Sequence, residues 1–312
     1  MAFDVSALAA YIENSDFPII AKVQTSSDTA SLVSKQVGIK KSSNLHFMET
    51  DVVFQSGANC NRTASGTTTM TDKTITVGDV AIYENLCIKD LNGKYAQIYL
   101  QRGAAGDSVL PGEIEGVYLE NKMEILKKQL EVSDWQGDTL SGTNNLSYYD
   151  GWLKLIDAGS PINGNTGSIT AATGISVSNI IPAVQGMYLS IPQDIRGRQD
   201  LSLFLPREWY DLYVVALINA NLFHYAVADG TVAKIHGTNV MIRPTDGLNT
   251  TNRMILTYNE NLVLGLDGDA DEDVIDVRLD PVTNKNVFVD IMFKRGCQVR
   301  FDDQVVEFTL VP

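Results

Sequence analysis

The segment that most restricts the fold lies between Pro111 and Gly137. Leu119, Met123, Leu126 and Leu130 are spaced by four, three and four residues, the interval at which side chains recur on one face of an α-helix. Glu120, Lys127, Lys128 and Glu131 take the other sides. Pro111 marks the start, Glu113 and Glu115 fall in the first turn where the helix dipole favours acids, and Gly137 follows as a stop. The pattern predicts a helix over 113–134, roughly 30 Å long at 1.5 Å per residue. A helix of that length spans a small domain, so the remaining elements must be laid along it.

The region before it has a different character. Residues 1–20 carry Phe3, Leu8, Tyr11 and Ile12 on one stripe, a short amphipathic helix ended by Pro18. Residues 21–45 are rich in Ser, Thr and Lys without a sustained period, and read as an extended arm or loop with no packed element. LHFMETDVVFQS (45–56) reads as a strand, GANCNRTASGTTTMTD (57–72) as a long polar loop, and KTITVGDVAIYENLCI (73–88) as a second strand with a bulge or bend at Gly78-Asp79, where the parity of the apolar positions shifts. Two long strands with a polar tip make a projecting hairpin. Such a ribbon is marginal alone and needs a surface to lie on, so it is expected to lack fixed order in the free subunit.

Beyond the long helix the chain is mixed. A short helix is expected at 91–103, with Tyr95, Ile98 and Tyr99 inward. Residues 140–175 are Gly, Ser, Asn and Thr-rich, broken only by the aromatic YYDGWLKLI. Residues 175–191 look helical, with Pro182 near the first turn. Leu201, Leu203 and Leu205 alternate as in a strand, and Pro206-Arg207-Glu208 opens a helix with Trp209, Leu212, Tyr213, Ala216, Leu217 and Ala220 inward. Strands are expected at 236–244, 254–258 and 261–267, and in VIDVRLD, NVFVDIMFKRGCQVRF and VVEFTLV. Helices and strands do not alternate regularly, so the class is α+β and not a doubly wound parallel sheet.

Composition narrows the function. With 312 residues and 44% hydrophobic content the chain can bury a large core, as one elaborate domain or two. Its net charge of −14 opposes binding to nucleic acid by phosphate neutralisation, which needs clustered Lys and Arg. Cys60, Cys87 and Cys297 form no zinc spacing and no disulfide framework, and read as free thiols in a reducing compartment. The opening residues show no basic region followed by an apolar one, and no 18-residue apolar run occurs, so the chain is expected to be made and kept in cytoplasm.

Chemistry-bearing patterns are sparse. His46, His224 and His236 form no HExxH or helical pair. No GxxxxGK[ST], strand-GxGxxG-helix or GxSxG occurs. In DGDADEDVID (267–276), Asp267, Asp269 and Asp271 match the start of a calcium loop, but position 6 is Glu272 and position 12 is Arg278, so the stretch reads as a solvated acidic turn over a weak calcium site. Trp135 and Trp152 read as anchors packed at the end of the long helix, with a sugar platform as the competing reading. No catalytic, cofactor-binding or metal residue is assigned, and no cofactor is expected.

The order of parts carries a resemblance. HFMETDVVFQSG (46–57) with TITVGDVAIYENLC (74–87), WQGDT…YYDGWLKLI (135–156), LSLFLPREWYDLYVVAL (201–217), GTNVMIRP (237–244), NLVLGLDGDADED (261–273) and VFVDIMFKRGCQVRF (287–301) together resemble the major capsid protein of tailed bacteriophages, the Hong Kong 97 type. The resemblance covers nearly the whole chain. It implies an N-terminal arm at 1–45, an extended β-hairpin loop at 46–90, a peripheral domain at 91–157 with the spine helix at 113–134, an axial domain at 158–273, and closing peripheral strands at 274–312.

It also implies a structural protein and not an enzyme. Subunits would self-assemble into pentamers and hexamers of an icosahedral head enclosing double-stranded DNA without sequence-specific binding and without a membrane. The expected partners are further copies, a separate scaffolding protein, a portal and a decoration protein; the expected location is the virion capsid, assembled in the host bacterial cytoplasm. Some members join a Lys of the extended loop to an Asn of a neighbour. Lys73 lies near that region, but no matching Asn or Glu is found, so no crosslink is carried over. The alternatives are an encapsulin-like compartment of the same fold, an acidic polysaccharide-active hydrolase, and a surface-layer protein or adhesin, which would want an export signal.

Overall fold

A computed structural model describes residues 27–55, 65–87, 111–221, 233–235, 237–267, 274–280 and 286–312. The helices expected at 1–20 and 91–103, Cys60, His224, His236, Asp269, Asp271 and Glu272 lie outside the described residues.

The described chain begins with a turn at 27–33, then β1 (Ser34–Gln36), β2 (Ser42–Thr50), β3 (Thr68–Thr76) and β4 (Gly78–Cys87). The long helix α1 spans Pro111–Gln136, so the expected helix gains two residues at each end, opening on Pro111 itself. The Gly137 N–H closes its last turn on the Ser133 carbonyl at 2.8 Å. The aromatic segment is a helix, α2 (Trp152–Ala158), followed by β5 (Ile162–Asn163). The helix expected at 175–191 is shorter, α3 (Ile180–Leu189), with a separate turn α4 (Gln193–Arg196) beyond it. Pro182 falls in the first turn of α3, where its missing N–H costs nothing. Then come β6 (Leu201–Pro206), α5 (Arg207–Asn219), β7 (Ala233–Lys234) and β8 (Met241–Thr245). β8 starts five residues later than the strand expected at 236–244. The chain closes with β9 (Arg253–Tyr258), β10 (Leu262–Leu266), β11 (Val274–Leu279), β12 (Asn286–Val299) and β13 (Val306–Thr309).

Two sheets organise these elements. One is built on β12: β4 runs antiparallel to it from Asn286↔Cys87 to Arg295↔Gly78, β11 and β10 pair with successive stretches of it, and β1 adds parallel to β10. The other has the order β5-β13-β9-β6-β8-β7. Its central strand β6 is buried at every position. Leu201, Leu203 and Leu205 point into a core shared with α3 and α5, while Phe204 points the other way, into a core with Trp135, Trp152 and β10. The alternation legible in the sequence is therefore real, but both faces of the strand are covered.

The hairpin differs from its expected limits. β2 ends at Thr50 and β3 starts at Thr68, pairing from Ser42↔Thr76 to Thr50↔Thr68. The run 73–88 is two strands, not one. At Val77-Gly78 the chain leaves the hairpin sheet and enters the β12 sheet, which is the physical origin of the parity shift. A Cβ at Gly78 would lie 2.1 Å from the Tyr148 carbonyl oxygen, so only glycine fits where the chain changes sheets. The segment before β2 also departs from expectation. Ser27, Thr29, Ala30 and Val33 are buried, and β1 joins the sheet, so this part is packed.

Candidate functional site

The last two turns of α1 carry Glu131, Ser133, Asp134 and Trp135, all buried. Three polar residues at a buried helix end require partners, and each has them. Asp134 and Arg295 of β12 are both 0% exposed. The Arg295 guanidinium donates to both carboxylate oxygens, Nε to Oδ1 at 2.7 Å and Nη2 to Oδ2 at 2.6 Å. The Tyr149 hydroxyl donates to Oδ1 at 2.9 Å, and the Cys297 thiol donates to the Asp134 carbonyl at 3.6 Å. Arg295 and Cys297 are two residues apart on one strand, so they share a face and meet the same helix turn. Burial works against the Arg295 charge, but the charge and hydrogen bonds of Asp134 more than offset it and hold its pKa above the ordinary value. Burial, then the Asp134 charge, push the Tyr149 hydroxyl and the Cys297 thiol well up. A thiol shifted that way stays protonated, the opposite of an activated nucleophile.

Glu131, one helical turn earlier, accepts from neutral donors. The Thr29 N–H reaches Oε2 at 3.2 Å, the Thr29 hydroxyl donates to Oε1, and the Thr245 hydroxyl donates to Oε1 at 2.6 Å. Burial raises the Glu131 pKa, and these hydrogen bonds act against that.

Trp135 and Trp152 are both 0% exposed and meet edge to face at 5.1 Å, with Phe204 5.3 Å from Trp135. Their indole N–H groups donate to the Thr29 hydroxyl at 3.1 Å and the Val263 carbonyl at 3.3 Å. Gly247 lies against the Trp135 ring, where a Cβ would come within 2.1 Å of Cδ1. Neither ring is available to a sugar, so the anchor reading holds and the platform reading does not.

The hairpin has two unlike faces. Leu45 and Ile75 pack with Ile39, Val77 and Val263, and Phe47 lies 5.3 Å from Phe301. Lys73 on this side donates to both Asp302 carboxylate oxygens at 2.8 Å and to the Val299 carbonyl at 3.0 Å. Its ammonium is therefore held within its own subunit. On the other face His46 and Asp72, 2.6 Å apart, stand opposite each other. Beside them Met48 and Met70 form an exposed apolar pair, and Val52, Val53 and Phe54 beyond it are exposed as well, Phe54 at 95%.

Of the acidic stretch, Asp267 is buried, with Lys294 Nζ 3.9 Å away. Arg278 lies on β11 and pairs with Asp290 at 3.0 Å. Among the described residues no group of three or more His, Cys, Asp or Glu is placed to hold a metal ion. Sequence reasoning missed the Asp134–Arg295 pair and the Glu131 bonds. The one available signal was Arg295 standing in the apolar alternation of Val287, Val289, Ile291, Phe293, Cys297 and Val299.

The described elements, a helix some forty ångströms long by its residue count, two sheets at its end and a hairpin with two unlike faces, match the fold of solved phage capsid chains. A chain of the satellite phage P4 procapsid including size determination (Sid) protein matches with a TM-score of 0.59 and 12% identity, over 93% of this chain and 96% of that one. The capsid of cyanophage A-1(L) gives 0.58 and 10% identity, over 96% and 94%. The capsid of Myoviridae phage XM1 gives 0.56 and 14%, over 90% and 89%. No protein-family model matches the chain, and no curated protein matches it in sequence.

Proposed function

We propose that this chain is the major capsid protein of a tailed phage, a structural subunit that assembles into pentamers and hexamers of an icosahedral head around double-stranded DNA. The observation that carries the proposal is the near-complete coverage by phage capsid chains, together with a hairpin that exposes Met48 and Met70 on its outer face and Val52, Val53 and Phe54 beyond them. Five large apolar side chains on one projecting ribbon are a liability in a lone subunit and a contact surface in an assembly. In this scheme α1 is the spine helix of a peripheral domain (91–157 and 274–312), 158–273 is the axial domain, 46–90 the extended loop, and 1–45 the N-terminal arm. The Asp134–Arg295 pair and the tryptophans fasten the spine to both sheets, giving the rigid body that such a subunit needs. A separate scaffolding protein, a portal and a decoration protein are the expected partners, with assembly in the host bacterial cytoplasm.

The acidic balance fits a container for DNA: like charges let the polymer slide and do not hold it. Purifying particles made from this chain in its host and treating them with nuclease tests the proposal. Protected double-stranded DNA inside is the expected content. Particles that hold only protein cargo would favour an encapsulin-like compartment.

A further inference from the structure

The turn at 27–33 is fastened to the body in an unusual way. It holds its own shape: the Ser31 N–H donates to the Ser27 carbonyl at 3.0 Å, and the Leu32 and Val33 N–H groups donate to the Thr29 carbonyl at 2.9 and 3.2 Å. It joins no strand ladder until Ser34, where β1 meets β10. Its apolar burial rests on Ala30 and Val33, two small side chains, with Leu32 partly buried against the same cluster. Its polar ties converge on one residue. Thr29 is gripped between Glu131, which accepts from its N–H and its hydroxyl, and Trp135, whose indole N–H donates to that hydroxyl at 3.1 Å. Ser27 adds a further hydrogen bond to Glu131.

The body has ties of its own beside this turn, although opening it takes from the Trp135 indole N–H its Thr29 acceptor and leaves Glu131 with the Thr245 hydroxyl. α1 is also fastened to the 3-10 turn Asp246–Leu248 by Gln136, whose Nε2 donates to the Gly247 and Asn249 carbonyls at 2.7 and 3.1 Å. Arg295 still holds Asp134, and Trp152 still packs on Trp135. Local opening is set by how few ties a segment has and how independent they are of the rest.

We propose that residues 27–33 are a detachable strap, latched to the end of α1 by Glu131, which opens as a unit while both sheets stay folded. Glu131 is thus a positioning residue for the chain that leads into β1, and the latch makes the direction of that chain an adjustable feature of the subunit. Glu131→Gln keeps the size of the side chain but turns one acceptor oxygen into a donor, so hydroxyls that now donate to it lose an acceptor.

The test is native-state hydrogen exchange on the full chain. In Glu131→Gln, amides of 27–33 should exchange at least about tenfold faster while those of β12 keep their wild-type protection. Unchanged protection of 27–33 would overturn the proposal. Should that variant fail to fold, wild type at low denaturant decides. Opening of 27–33 at lower free energy and with weaker denaturant dependence than β12 supports the strap. Opening of both segments together, with one free energy and one dependence, overturns it.

Discussion

Replacing Arg295 by methionine should be one of the most damaging single changes in this chain. Arg295 and Asp134 are both shut off from solvent and joined by two charge-assisted hydrogen bonds of 2.7 and 2.6 Å. Methionine fills the aliphatic space but leaves the Asp134 carboxylate buried with only neutral donors, the Tyr149 hydroxyl among them. Breaking one side of a buried pair costs about 3–5 kcal/mol. Asp134→Leu should cost a similar amount by stranding the guanidinium. The double variant Asp134→Leu/Arg295→Met removes both charges together. It should lose only about 1–3 kcal/mol, from the acceptor that Tyr149 no longer has. Urea unfolding followed by tryptophan fluorescence suits the question, because Trp135 adjoins Asp134 in the chain and stacks on Trp152. With a slope of about 3 kcal/mol/M, each single change should lower the midpoint by roughly 1–1.7 M. Single costs below about 1 kcal/mol, or costs that simply add in the double variant, would refute the reasoning.

Three further outcomes are expected. Gly78→Ala forces a methyl group to 2.1 Å from the Tyr148 carbonyl, so it should destabilise the chain by about 2 kcal/mol or more, read as a lowered urea midpoint. Phe54→Ser with Met70→Ser alters only exposed positions of the hairpin. Subunit stability should stay within about 0.5 kcal/mol while sedimentation shows assembly lost. Glu131 has a folded pKa raised by burial above its ordinary value of 4.5. A carboxyl shifted that way adds stability that is fully present below the unfolded value and is lost as pH rises through the folded one. Unfolding free energies of wild type and Glu131→Gln should therefore diverge in favour of wild type as pH falls toward 4.5; a pH-independent difference would contradict the assignment.

The elements that the sequence disclosed are those whose side chains face a core with regular spacing. α1 was legible because Met123, Leu126 and Leu130 are all buried and because Pro111 and Gly137 bracket it. β6 and α5 were legible from Leu201, Leu203, Leu205 and the proline between them. The start of β3 was not. Thr68, Thr69, Thr71 and Asp72 bury nothing, and the strand there is held by its backbone ladder to β2. The run 73–88 read as one strand because its residue types suit either sheet; only the parity change at Gly78 betrayed the switch. The turn at 27–33 looked like loop because Ser27 and Thr29 are buried through hydrogen bonds to Glu131, a tie that no local pattern reveals. The Asp134–Arg295 pair was hidden for the same reason: its partners are 161 residues apart.

The central claim is that this subunit exists to build a shell. The most direct test is electron microscopy of the chain expressed alone and together with the genes that flank its own. Closed icosahedral shells, or rings of five and six subunits, are the predicted products of at least one of the two preparations. A compact monomer at every concentration in both would contradict the account.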